Sequence, residues 1–178
     1  MPEDKEFSIY EYRIAKRVYV TILLIILIWC LLIFAAPALW DLGGVFSKIS
    51  FLTYQLFATT CHQLDDRSFH IFGFRFGVCS RCTSIYVGFL LSTVVYPFFH
   101  RIDNKKLPAI WYLLVAAFLL LIDSSLEFFH FLENTFFTRT ATGFILGFVL
   151  PFYLIPGFVN FVQEVVSFFK SNTNNKKA

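Results

Sequence analysis

The sequence predicts an all-α integral membrane protein: a four-helix transmembrane bundle with an extra interfacial or re-entrant helix in its first extracytoplasmic loop. Three observations lead there. Hydrophobic residues make up 57% of the 178 residues and charged ones only 15%, where soluble domains carry about 25% charged residues. Mean hydropathy is +0.66. The apolar residues also fall into four runs long enough to cross a bilayer, which takes about 20 residues. With 25 Phe and a single Met, this composition excludes a disordered chain, a coiled coil and a disulfide-dense mini-protein. A net charge of +3 gives no footing for a nucleic-acid partner, so membrane lipid is the expected surrounding.

The first span is expected at about 18–40, because no charged side chain lies between Arg17 and Asp41. Ala36-Pro37-Ala38 imitates a signal-peptide cleavage site. The apolar run is longer than the 7–15 residues of a signal core, however, so an uncleaved anchor is expected. Residues 1–17 read as a separate amphipathic helix on the cytoplasmic leaflet, with Phe7, Tyr10 and Ile14 on one face and Lys16 and Arg17 beyond. The second span is placed at about 78–99, with Arg81 in its first turn reaching toward the interface. The third is placed at about 107–130 and the fourth at about 140–161, the latter interrupted by Pro151 and Pro156. Residues 18–161 thus form one membrane domain. Residues 162–178 form a polar cytoplasmic tail, disordered from Ser171 onward.

Lys and Arg placement sets the orientation. Ten of them fall in the N-terminal segment, the loop after the second span and the tail, against five on the opposite side: Lys48, Arg67, Arg75, Arg81 and Arg139. Both termini are therefore expected in the cytoplasm, and the loop 41–77 outside it. In that loop Val45 to Thr59 has one charge, Lys48, and is too short to span, which makes it the interfacial or re-entrant helix.

The chemistry concentrates in Cys61-His62-Gln63, Asp66 to His70, and Cys79-Ser80-Arg81-Cys82. Three of the four cysteines lie within 22 residues, with two of the four histidines. Cys30, inside the first span, reads as a small buried apolar residue. Cys79 and Cys82, three apart, share one face of a helical turn, and a helix N-terminus favours thiolate. Two chemistries use such a set. One is a metal, zinc above all, held by Cys61, Cys79, Cys82 and a nitrogen from His62, with His70 as the alternative. Four such ligands would close the shell and make the metal structural. The other is thiol–disulfide exchange on the Cys79–Cys82 pair in an oxidising compartment.

Asp123, Glu127 and His130 lie four and three residues apart and form one helical stripe. Charges at membrane depth face a bundle interior or a wet cavity. Arg139 is the expected partner across the short turn. Asp123 and Glu127 are also the candidate catalytic groups, as general bases beside a metal-bound water. Gly143 and Gly147 form a small-xxx-small pair, read as close helix packing.

The run Cys61-His62-Gln63, Arg67-Ser68-Phe69, Gly73 and Val78-Cys79-x-Arg81-Cys82-Thr83-x-Ile85-Tyr86-x-Gly88 resembles the signature of a family of small bacterial and archaeal membrane proteins of unknown function. Asp123, Glu133, Thr135, Arg139, Thr142 and Gly143 extend the likeness, which covers about residues 50–150. The family has Gly where this chain has Ser84. The resemblance implies a fold and a shared site, and the protein is expected in a bacterial inner (cytoplasmic) membrane. Gln63, Arg67, Ser68, Arg81, Tyr86 and Arg139 are the candidate substrate-binding residues.

Three functions follow as expectations: a zinc-binding membrane protein of unknown substrate, a thiol–disulfide membrane oxidoreductase, or an enzyme or transporter for a lipid or lipid-linked substrate whose anionic head group Arg67, Arg75, Arg81 and Arg139 hold. No phosphate-binding P-loop, G-x-S-x-G or H-E-x-x-H motif occurs.

Overall fold

A computed structural model describes residues 2–103, 106–129 and 134–175. The chain is helical almost throughout. Helix α1 (Pro2–Asp41) turns through Leu42 and Gly43 into α2 (Gly44–Ala58). A single 3-10 turn (Asp65–Arg67) and a small hairpin, β1 (His70–Ile71) with β2 (Phe74–Arg75), lead to α3 (Ser80–Phe99). Then follow α4 (Trp111–Phe128), α5 (Phe136–Val149) and α6 (Pro151–Asn175). Four stretches are long and apolar enough to cross a membrane: Ile9–Asp41, Ser80–Phe99, Trp111–Phe128 and Phe136–Phe168, the last combining α5 and α6.

The bundle is turned outside in, as lipid as solvent requires. On α2, Ser50, Thr53 and Phe57 are buried while Val45, Phe46, Ile49, Phe51, Leu52 and Leu56 are exposed. The Ser50 hydroxyl donates to the Ala36 carbonyl of α1 at 2.6 Å and the Thr53 hydroxyl to its own helix at Ile49. The polar groups are thus satisfied inside and the apolar face is left for the bilayer, which suits the interfacial position expected of this segment. The sharp α1–α2 turn uses Gly43 and Gly44, both at positive φ.

Two apolar clusters hold the ends of the bundle. One joins Ala15 and Tyr19 of α1 to Tyr96 of α3 and Ile155 and Val159 of α6, with the Tyr19 hydroxyl donating to the Thr93 carbonyl at 3.0 Å. The other packs Ile33, Phe57, Cys61, Phe76 and Val78 beneath the cysteines, with Trp29 edge-on to Phe57 at 5.0 Å.

The closest helix contact is between α3 and α5, and it is made by glycine. A Cβ on Gly147 would overlap the Ile85 carbonyl oxygen, one on Gly143 would lie 2.6 Å from that of Arg81, and one on Gly88 2.7 Å from that of Phe144. The small-residue pair seen in the sequence therefore packs on α3.

Several boundaries differ from the sequence reading. Of the segment 1–17, residues 2–17 do not form a separate surface helix. Neither Pro nor Gly interrupts residues 3–36, so α1 continues through them, and the Gln163 amide of α6 donates to the Glu11 carbonyl at 3.2 Å. The side chain of Phe7 lies outside the described residues. The third span starts at Trp111 rather than Leu107, because Pro108 disfavours helix before it. The fourth starts at Phe136, where the Thr135 hydroxyl caps the Thr138 N–H at 3.2 Å. It breaks only between Val149 and Pro151, and Pro151 serves as the first residue of α6, where its missing N–H costs nothing. The helix then runs through Ser171 to Asn175, beyond the expected end of order. His130, Glu133 and residues 176–178 lie outside the described residues.

Candidate metal centre and arginine cavity

Helix α2 ends at Ala58, and the Cys61 N–H still bonds the Phe57 carbonyl at 2.9 Å, which fixes the first cysteine just past the helix. Gln63 then reverses the chain at φ 52°. It is buried, and its side-chain amide donates to the carbonyls of Tyr54 (2.8 Å) and Gly77 (2.7 Å), stapling the entry and exit of the loop together. The Arg75 guanidinium donates to the Gln63 carbonyl, and the Tyr54 hydroxyl to that of Arg75. The hairpin closes on Phe72 and Gly73, both at positive φ as a two-residue turn of this kind requires. Ser68 is buried with its hydroxyl on the Leu64 carbonyl at 2.7 Å. Gln63 and Ser68, candidate binding residues by sequence, thus build the loop.

The result sets Cys61 against the start of α3, with Cys79 at the N-cap and Cys82 in the first turn. The three Sγ atoms all lie within 4.8 Å of one another. All four cysteines of the chain are free thiols. The Cys61 sulfur accepts the backbone N–H of Cys79 at 3.2 Å and that of Gln63 at 3.5 Å. Thiol hydrogen bonds from Cys79 and then Cys82, reinforced by those backbone donors, hold Cys61 well below the usual thiol range, and the bond to Cys61 pushes the Cys79 thiol up. One sulfur of the group is thus set to be thiolate. Cys30 is elsewhere, donating to the Tyr86 carbonyl at 3.5 Å, and Tyr86 packs on Trp29 with ring centroids 5.8 Å apart.

Neither histidine joins the sulfurs. Cys61 and Gln63 are buried and His62 between them is exposed, although His62 does reach the rim of the adjoining cavity. The His70 Nε2 pairs with Asp65 Oδ1 at 3.1 Å on the exposed hairpin.

The sulfurs open onto a cavity of about 350 Å3 whose other wall is ionic: Arg67, Arg81, Arg139 and Glu127. Arg81 does not reach outward to the interface. Its Nη2 lies 2.6 Å from Asp123 and 3.1 Å from Glu127. Arg139 pairs with Glu127 at 2.9 Å, and Arg67 pairs with the same oxygen. Asp123 is buried, with the Thr142 hydroxyl 3.4 Å from its carboxylate. The Asn134 amide bonds the Asp123 carbonyl at 2.6 Å and Glu127 at 3.4 Å. The partner expected for the acidic stripe was Arg139 alone; Arg81 is the nearer one, because the glycine contact at Gly143 brings α5 onto the first turn of α3. Asn134 and Thr60, which also lines the cavity, were not singled out by sequence, and no spacing signal marks them. The oxygens of both candidate catalytic groups are paired with guanidiniums, Asp123 buried behind Arg81 and Glu127 in the cavity wall.

Removing one side of this network leaves a charge buried without its partner, which costs about 3–5 kcal/mol. Arg81→Gln is expected to destabilise the protein by about that amount. Asp123→Asn leaves Arg81 its pairing with Glu127 and is expected to cost about 1 kcal/mol. Equilibrium unfolding in bicelles measures both.

A second cavity, of about 390 Å3, lies between Trp40, Tyr54 and Phe74, and Gln63 borders both.

Compared with known proteins, residues 61–153 match a family model described as "Predicted membrane protein (DUF2085)". The match takes in the three clustered cysteines, the ion pairs and the α5 glycines. A curated relative, described as uncharacterized protein MJ1492 of the archaeon Methanocaldococcus jannaschii, is 37% identical over 152 residues, covering 84% of this chain and 97% of its own. No solved structure matches the chain.

Proposed function

This chain belongs to that family of predicted membrane proteins, and we propose that it is a metalloprotein in which Cys61, Cys79 and Cys82 hold one zinc ion at the extracytoplasmic membrane surface. The observation that carries the reading is the approach of three sulfurs to within 4.8 Å. Around a tetrahedral zinc with bonds of about 2.3 Å, sulfurs stand about 3.8 Å apart, so only a small adjustment separates the two arrangements. Backbone N–H donors already aimed at the Cys61 sulfur supply the outer support that metal thiolates receive. Three thiolates also suit zinc over magnesium or calcium, which take oxygen ligands.

Three protein ligands leave one tetrahedral position open, and the sulfurs face a cavity rather than a fourth side chain. That favours a site where the metal meets a ligand over a purely structural one. The excess of Lys and Arg on the segments remote from the cysteines supports the extracytoplasmic placement.

Protein purified under anaerobic conditions is expected to carry about one zinc per chain by elemental analysis. Stripping it with a chelator is expected to lower the thermal midpoint and to expose the 59–79 loop to protease, and added zinc to reverse both. Metal-free protein with its thiols reduced overturns the reading. A Cys79–Cys82 disulfide trapped in the same preparation would favour thiol–disulfide chemistry instead.

A further inference from the structure

We infer that the cavity between the cysteines and the arginines holds the phosphate of a negatively charged ligand. The inference deepens the metal reading and rests on it. Three guanidiniums converge on one cavity from three separate elements: Arg67 from the 3-10 turn, Arg81 from α3 and Arg139 from α5. Guanidinium is suited to planar forks onto phosphate or carboxylate oxygens. Arg81 and Arg139 are each anchored from behind by carboxylates through a single terminal nitrogen, Nη2, while Arg67 is held by Glu127 through Nη1 and by Asp66 through Nε at 3.5 Å. The Nε atoms of Arg81 and Arg139 are buried and have no hydrogen-bond partner among the described residues. Buried donors in a native protein are nearly always satisfied, so these arginines are held in place with hydrogen-bonding capacity to spare.

Donor groups and shape then select the ligand. The cavity is lined by three positive arginines and one negative Glu127, while Asp123 lies behind Arg81. A divalent metal on three thiolates adds one negative charge. With Asp123 on Arg81 counted as well the set is neutral, so an oxyanion is drawn by the guanidinium N–H groups not committed to carboxylates and by the open metal position rather than by excess charge. Three guanidiniums and a metal are four binding partners on different sides. That exceeds what the two oxygens of a carboxylate can serve and suits a tetrahedral oxyanion. The volume of about 350 Å3 holds a phosphate and a small substituent, since pockets for small molecules begin near 300 Å3. The phosphate can come from a phospholipid head group at the level of the exposed apolar face of α2, or from a water-soluble phosphate.

The test uses the full chain in detergent and in phosphatidylcholine vesicles, loaded with Co2+, whose visible absorption reports its ligands. Inorganic phosphate is titrated in detergent, and phosphatidic acid is added to the vesicles. A change in the cobalt spectrum is expected with at least one of them. Arg67→Gln is expected to weaken it about tenfold or more at unchanged cobalt content. Arg67 is the choice because it is partly exposed and its loss leaves Glu127 to Arg81 and Arg139. A response to inorganic phosphate identifies a soluble ligand. A response only to phosphatidic acid identifies a lipid head group, and either supports the inference. Cobalt bound with no response to either phosphate overturns this inference alone, as does an affinity unchanged in Arg67→Gln. No cobalt uptake overturns the metal reading beneath it.

Discussion

Cys79→Ser is expected to abolish stoichiometric metal binding and to lower stability by about 3 kcal/mol. Cys79 contributes twice: its sulfur is one of the three, and its N–H donates to the Cys61 sulfur from the N-cap of α3. Serine keeps the cap and the N–H but replaces a soft thiolate by a hydroxyl that does not ionise near neutral pH, leaving two ligands where zinc takes at least three. The stability loss follows from topology. A metal bridging Cys61 to Cys79 closes a loop of about 20 residues, and a cross-link of that span restrains the unfolded chain by roughly 3 kcal/mol. Cys30→Ser supplies the contrast, since Cys30 sits apart from the group, bonded to the Tyr86 carbonyl. Its metal content is expected to stay at that of the unaltered protein. Elemental analysis and thermal unfolding of the two variants side by side measure both effects, and equal metal in the two would refute the assignment.

Gly147→Leu is expected to prevent α3 and α5 from packing. Even a Cβ at this position would overlap the Ile85 carbonyl oxygen, and that neighbour is helix backbone, which cannot swing aside. The helices must separate, and overpacking of a tight contact costs about 1–3 kcal/mol or more. Because Gly143, one turn earlier, sets Arg81 beside Arg139, separation also pulls apart the ionic wall of the cavity. The expected outcome is protein that aggregates on purification or unfolds at markedly lower denaturant. Gly157→Ala is the control: nothing lies within 4 Å of its Cβ position, and alanine favours helix. Size-exclusion profiles and unfolding midpoints decide between them.

The helices and the cysteine group were legible in the sequence for one reason. Apolar runs of about 20 residues and a C-x-x-C at a helix start are local patterns, and the membrane and the helical turn act on them locally. The ends of the helices were not. Polar residues after Phe161 and before Val18 carry no hydropathy signal, yet they continue helices that pack on one another through Ala15, Val159 and Gln163. The histidines misled because the side on which a residue falls after a helix depends on the chain path. That path is set by the reversal at Gln63 and its two bonds across the loop. The pairing of Arg81 with Asp123, 42 residues on, was hidden because it depends on which helix the Gly143 face meets. Glycine spacing announces close contact but does not name the partner.

The bond between Arg81 and Asp123 also bears on how the chain enters the bilayer. Synthesised from its N-terminus, the protein presents α3 with its arginine before α4 with its two carboxylates exists. Each such charge taken singly to mid-bilayer costs about 2.5–3.5 kcal/mol, and less toward the surface. Arg81, in the first turn, can wait at the head groups until α4 arrives, and the two helices then enter the folded core as neutralised partners. Biogenesis is thereby ordered: the arginine wall of the cavity is completed only when the fourth crossing delivers Arg139, so a chain interrupted earlier has the cysteines with Arg67 and Arg81 but without the third arginine.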